Sequence, residues 1–204
     1  MNKVQSLIQR VQKTQRGFTD IQKAADEIFA SHNMAETLSL ARELFGSDVH
    51  QGRMLAAFLW GKLAVKSKES FAFLRKRVSL DKDWRVQEIL AQAFDQYCKD
   101  SGYEKSLPVI EDWLADVNPN TRRAVTEGLR IWTTRDYFRE HPDVAIQLLS
   151  RLKADESEYV RRSVGNALRD ISRKHKDLIR AELEAWNISN QHVLQTYQLA
   201  GKFI

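Results

Sequence analysis

Glycine and proline are scarce, with eight and three in 204 residues. So few chain breakers exclude an all-β or alternating β/α chain, which turns at short intervals, and suit helices joined by short polar connections. Cysteine is nearly missing. The single Cys98 excludes an intramolecular disulfide framework and any multi-cysteine zinc site, and it reads as a small buried residue. No apolar run has the length of a signal peptide or a membrane span, and the amphipathic start MNKVQSLIQRVQKT is polar. A cytoplasmic protein without membrane association is the expectation. No GxGxxG, P-loop, HExxH or GxSxG motif occurs, and His32, His50, His141, His175 and His192 are scattered without metal-ligand spacing. The histidines read as surface or capping residues, and neither a metal nor a cofactor is expected. Any chemistry falls to carboxylates, arginines and aromatics.

What is present begins with a composition able to build a core, 43% hydrophobic and 29% charged. The net charge of +5 is concentrated. Residues 120–180 hold fourteen Lys and Arg against nine Asp and Glu, and the rest of the chain balances. A clustered excess of arginine is the footprint of a polyanion partner, nucleic acid above all, or else a solvated basic face.

Helical periodicity runs nearly end to end. Val4, Leu7, Ile8 and Val11 form the first apolar stripe, and Ile21, Ala24, Ala25, Ile28 and Phe29 the second. Asn33 with Glu36 predicts a capping box. Further helices are expected over about 48–66, 68–78, 81–97, 142–153, 158–174, 176–186 and 190–203, and Asn118-Pro119 starts another. Three stretches then superimpose: DKDWRVQEILAQAF from Asp81, DVNPNTRRAVTEGL from Asp116 and DESEYVRRSVGNAL from Asp155, offset by 35 and 39 residues. Apolar residues recur at the tenth position (Leu90, Val125, Val164) and the fourteenth (Phe94, Leu129, Leu168). A weaker copy, SDVHQGRMLAAFL, matches Leu55 to Leu90. A two-helix period near 40 residues predicts an all-α fold, an α-solenoid of HEAT-like repeats (an αα superhelix) with a concave basic groove. One domain over 1–204 is expected, with the clearest repeats at about 46–78, 81–115, 116–153 and 155–186.

In this alignment the eighth position holds Arg53, Glu88, Arg123 and Arg162, and the seventh adds Arg122 and Arg161. Neighbouring helices pack roughly 8–10 Å apart, so these residues form a ladder on one face. Glu88 puts one carboxylate in a row of arginines, as a distinct chemical point or as the ion-pair partner of a neighbour. Trp84 lies one turn earlier on the same helix face. Trp60, Trp113, Trp132 and Trp186 fall on or beside apolar stripes and read as packing residues. Tyr159 and Arg130 are weaker candidates for contacts to a nucleic-acid backbone, and Arg169 reads as a partner of Asp170.

The segments DWRVQEILAQAFD (83–95), NPNTRRAVTEGLRIWT (118–133) and EYVRRSVGNALRDIS (158–172) resemble the HEAT-like-repeat DNA alkylation repair glycosylases, bacterial proteins of the AlkC and AlkD type. The likeness is clearest over about 45–175. It implies a basic groove that wraps double-stranded DNA, and hydrolysis of the glycosidic bond of N3- or N7-alkylated purines by a monomer without metal or cofactor. The family's sugar-contacting tryptophan falls on Trp84 and its catalytic acid on Glu88, where the AlkD type has aspartate. Its groove arginine falls on Arg123. A second AlkD-type aromatic falls on Asn166, a departure closer to the AlkC branch. The resemblance implies catalytic Glu88 and Trp84, with Arg123, Arg162, Arg122, Arg161, Arg53, Asn166 and Arg85 contacting DNA. A DNA-binding protein without excision activity and a protein-interaction solenoid are the alternatives.

Overall fold

The computed structural model describes residues 3–204. Among them there is no strand, and short connections join one helix to the next. Packing divides the chain into two compact units, one running through Asp100 and the other Ser101–Ile204.

The first unit holds α1 (Lys3–Gln12), α2 (Thr19–Ser31), α3 (Met34–Phe45), α4 (His50–Leu63), α5 (Lys68–Lys76) and α6 (Trp84–Ser101), which ends one residue past the boundary. The capping box at Asn33 and Glu36 starts α3 with both reciprocal bonds at 3.0 Å. Helix α4 is buried over almost its whole surface and is the centre of this unit. It packs on α1, α2, α3 and α5. Against α6 it approaches so closely that a Cβ on Gly61 would lie 2.7 Å from the Cβ of Ala93. Helix α6 buries Val86, Ile89, Leu90, Ala93, Phe94 and Cys98 along one stripe, with Trp84 and Glu88 off it. Cys98 is fully buried and takes no part in a disulfide.

The second unit holds α7 (Leu107–Leu114), α8 (Pro119–Gly128), α9 (Asp136–Glu140), α10 (Pro142–Ser150), α11 (Glu158–Ser172), α12 (Lys176–Glu184) and α13 (Gln191–Ala200). Helix α11 is its centre and packs on α8, α10, α12 and α13. A Cβ on Gly165 would meet Leu199 Cβ at 2.6 Å, so glycine sets the spacing of α11 and α13. Trp60, Trp113 and Trp132 are fully buried and Trp186 nearly so, as their positions on apolar stripes predict. Helices α7 and α9 are additions to the sequence reading; each is short, and α9 barely exceeds one turn.

One polar device recurs through both units. At the loop before each inner helix, a short side chain accepts the backbone N–H two residues on: Ser47 from Val49, Asp81 from Asp83, Asp116 from Asn118, and Asp155 from Ser157, at 2.7–3.1 Å. The residue six positions later then reaches back. Arg53 donates to the Ser47 and Asp48 carbonyls, Gln87 to Asp81, Arg122 to Asp116 and Val117, and Arg161 to Asp155 and Glu156. The arginines also reach forward. Arg53 grips Asp81 at 2.7 and 3.1 Å, Arg122 grips Asp155 with two bonds of 2.7 Å, and Arg161 donates to Gln195.

This pattern corrects the register. Arg53 is the counterpart of Gln87, Arg122 and Arg161, one position earlier than its alignment with Glu88, and Met54 stands opposite Glu88, Arg123 and Arg162. Arg53 is 7% exposed and its guanidinium is spent on Asp81 and two carbonyls. Arg122 and Arg161 are engaged the same way, so all three tie the scaffold together.

Removing one partner of such a buried pair strands the other. Arg122→Ala is expected to lower the unfolding free energy by roughly 3 kcal/mol. Arg162→Ala, which loses only an exposed 3.8 Å pair with Glu158, is expected to change it by less than about 0.5 kcal/mol. Urea denaturation of both variants checks the contrast.

Candidate functional site

Helix α6 starts where Asp83 stops the preceding loop. The Asp83 carboxylate accepts the Arg85 backbone N–H at 3.0 Å, and its own N–H is held by Asp81. This cap fixes the first turn, which carries Trp84 and Arg85. Trp84 is 60% exposed, in contrast to the four buried tryptophans. Exposing an indole this size forfeits about 2 kcal/mol of burial, which marks the position as serving something other than packing.

Glu88 follows one turn later and is half-buried. Its natural partner is Arg85, three residues earlier on the helix. That guanidinium is instead committed to Asp83, with Nε to Oδ1 at 2.9 Å and Nη2 to Oδ2 at 2.7 Å. No other hydrogen bond or ion pair reaches the Glu88 carboxylate among the described residues. The salt-bridge reading of Glu88 does not describe this geometry.

Trp84, Arg85 and Glu88 line an open cleft of about 320 Å³ together with His50, Gln51 and Met54 of α4 and the α1–α2 loop, Thr14–Gly17. Gln51 anchors that loop through the Thr14 carbonyl at 3.3 Å. Gly17 makes the turn with φ of +69°, a conformation that costs glycine little. The loop and His50 were not among the sequence candidates. The signal that could have found them is the register itself, because His50 occupies in the first copy the position of Trp84 in the second.

The charges in and beside the cleft are unequal in availability. Asp83 is held as a carboxylate, its pKa lowered from 3.8 to about 2, first by the Arg85 side chain and then by the Arg85 backbone N–H. Burial, then the Arg85 cation, pushes His50 below the usual histidine range, so it is neutral at pH 7. Its 3.9 Å approach to Asp83 is therefore not a charge pair there.

The second unit carries the other candidates. The Arg123 guanidinium lies 4.0 Å over the ring of the exposed Tyr159, with Glu127 at 3.9 Å. Glu127 also accepts from Ser163 at 2.7 Å. Arg162 is exposed, and Asn166 half-buried on the same helix. Much of the basic excess is balanced locally. Asp170 alone gathers Arg130, Arg169 and Arg173 within 3.3–3.8 Å, which leaves Arg130 and Arg169 with structural partners. No group of three His, Cys, Asp or Glu able to hold a metal occurs among the described residues, and no helix there is long and apolar enough to cross a membrane.

The depressed Asp83 pKa has a definite stability signature. The contribution of the Asp83–Arg85 pair is fully present above about pH 4 and is lost as the pH falls through about 2. The stability difference between wild type and Asp83→Asn is expected to be constant from pH 7 to pH 5 and to shrink towards pH 2. Denaturant titrations at several pH values measure it.

Residues 17–197 match the family described as DNA alkylation repair enzyme. The chain is 49% identical to AlkD2 from Streptococcus mutans, over 98% of this chain and 97% of that one, with a TM-score of 0.97. At 21% identity it shares the fold of AlkC, an alkylpurine DNA glycosylase of Pseudomonas fluorescens solved bound to DNA containing an abasic-site analogue; the match has a TM-score of 0.69 and covers 98% of this chain and 61% of AlkC. YhaZ of Bacillus subtilis is 33% identical over 93 residues, 44% of this chain and 26% of YhaZ, so the match spans about a quarter of that protein. With nearly the whole helical-repeat chain matched, this protein belongs to the DNA alkylation repair enzyme family.

Proposed function

We propose that the protein is a DNA glycosylase that hydrolyses the N-glycosidic bond of N3- or N7-alkylated purines in duplex DNA, acting as a cytoplasmic monomer without metal or cofactor. The observation that carries this reading is the Glu88 carboxylate, left without a cation partner beside an exposed tryptophan in an open cleft.

Alkylation at N3 or N7 places positive charge on the purine. When the C1′–N bond breaks, its electron pair neutralises the base, which leaves without prior protonation. The barrier then lies in the cationic sugar. A fixed carboxylate stabilises that oxocarbenium character and takes a proton from the water that adds at C1′. An unpaired carboxylate serves both purposes better than one already neutralised by arginine. Trp84 offers a ring face to the sugar and to the cationic nucleotide. Arg123 and Arg162 are suited to phosphate contacts that fix register without reading sequence, with Asn166 beside them.

A second reading, a family member that binds DNA without excising a base, draws support from the scaffold roles of Arg53, Arg122 and Arg161. With these three engaged, few arginines of the ladder remain for phosphates.

Release of N3-methyladenine and N7-methylguanine from methylated duplex decides between them. The glycosylase reading expects excision by wild type and a loss of about 100-fold or more in Glu88→Gln, the scale of removing one electrostatic stabiliser of a transition state. Wild-type rates in Glu88→Gln would end it. Salt-sensitive binding with no base released from any substrate would favour the second.

A further inference from the structure

We infer that Asp83 is a positioning residue for the site: by holding Arg85 in a two-bond ion pair, it keeps the cation three residues away on the same helix off the Glu88 carboxylate. The catalytic consequence rests on the glycosylase reading; the geometric claim does not.

Arg85 and Glu88 are three residues apart on α6, a spacing at which oppositely charged side chains meet. Arg85 turns back instead, and its guanidinium donates twice to Asp83. Asp83 is itself fixed. Its carboxylate also accepts the Arg85 N–H, its N–H is held by Asp81, and Asp81 is gripped by the buried Arg53. A chain of four charged residues, joined between Asp81 and Asp83 through the Asp83 backbone N–H, thus runs from the core of α4 to the edge of the cleft and ends by pinning the guanidinium to Asp83.

The repeats supply independent support. At the positions of Asp83 and Arg85 the other copies carry Val49 and Gln51, Asn118 and Asn120, and Ser157 and Tyr159, all neutral. The acid–arginine pair occurs only in the copy whose eighth position is a carboxylate. At the seventh position that same copy replaces arginine with Gln87, removing a second cation adjacent to Glu88. Both changes lower the positive charge available to Glu88, and neither is needed to cap the helix, since Asn118 does that in the next copy.

The test compares Asp83→Asn with the double variant Asp83→Asn/Arg85→Gln. Asparagine keeps the capping oxygen, so folding is preserved and is verified by circular dichroism. A crystal structure of Asp83→Asn is expected to place the Arg85 guanidinium within about 4 Å of the Glu88 carboxylate, ion-pair distance. An Arg85 that stays away from Glu88 overturns the inference. In the excision assay, Asp83→Asn is expected to lose at least about tenfold in kcat with little change in KM, and the double variant to recover most of that loss. A double variant as impaired as the single one means that Asp83 acts only structurally and overturns the inference. If wild type itself releases no base, the proposed reaction fails, and the crystal structure alone decides the role of Asp83.

Discussion

The arginine that reaches back to close its own loop and forward to the next repeat is the interaction on which the rest depends. In a stack of short helix pairs, no single pair buries its apolar face alone. The hydrophobic stripes supply most of the attraction but little directional information. The buried pairs Arg53–Asp81 and Arg122–Asp155 supply direction. Each guanidinium binds a carboxylate in one repeat and loop carbonyls in another, so it holds the starts of successive inner helices together. In the first unit Trp84 and Glu88 lie on the first turns of such a helix, and in the second Arg123 and Arg162 hold the equivalent positions. The scaffold and the candidate site therefore use the same residue type at adjacent positions, one turned inward and the next outward.

That adjacency explains what the sequence made legible. Helix existence, the repeat period and the packing roles of the buried tryptophans followed from periodicity, because buried apolar positions repeat regardless of partners. The distinct status of Trp84 and Glu88 followed from comparing copies of the repeat. The inward or outward fate of the arginines did not. Neighbouring positions seven and eight both carry arginine in two copies, and the weak first copy, lacking the leading Asp, allowed a slip of one residue that exchanged Arg53 for Met54. The hydrogen bonds to carbonyls five and six residues back resolve it, and no composition rule anticipates them. The commitment of Arg85 to Asp83 was equally hidden, since helix spacing favours Glu88 as its partner.

The charge reading needs the same distinction between sum and availability. Residues 120–180 do carry the whole positive excess, yet ion pairs absorb much of it, and Asp170 alone gathers three arginines. Net charge still shapes the long-range field that a polyanion would meet. On the proposed reading, short-range contacts to phosphate fall to fewer groups, the exposed Arg162 and the Arg123–Tyr159 stack.

The glutamine at position 87 gives this arrangement a cost. Its amide makes one bond to a single loop carbonyl, at 2.8 Å, where the arginines at the equivalent positions make three or four. The repeat that carries the free carboxylate is thus the one with the weakest lock on its own helix start. Stability and activity commonly trade against each other at such positions. On the proposed role of Glu88 the exchange is a single missing guanidinium, so a search for stabilising substitutions in this fold would be drawn to residue 87, where arginine would tighten the loop and bring a cation back beside Glu88.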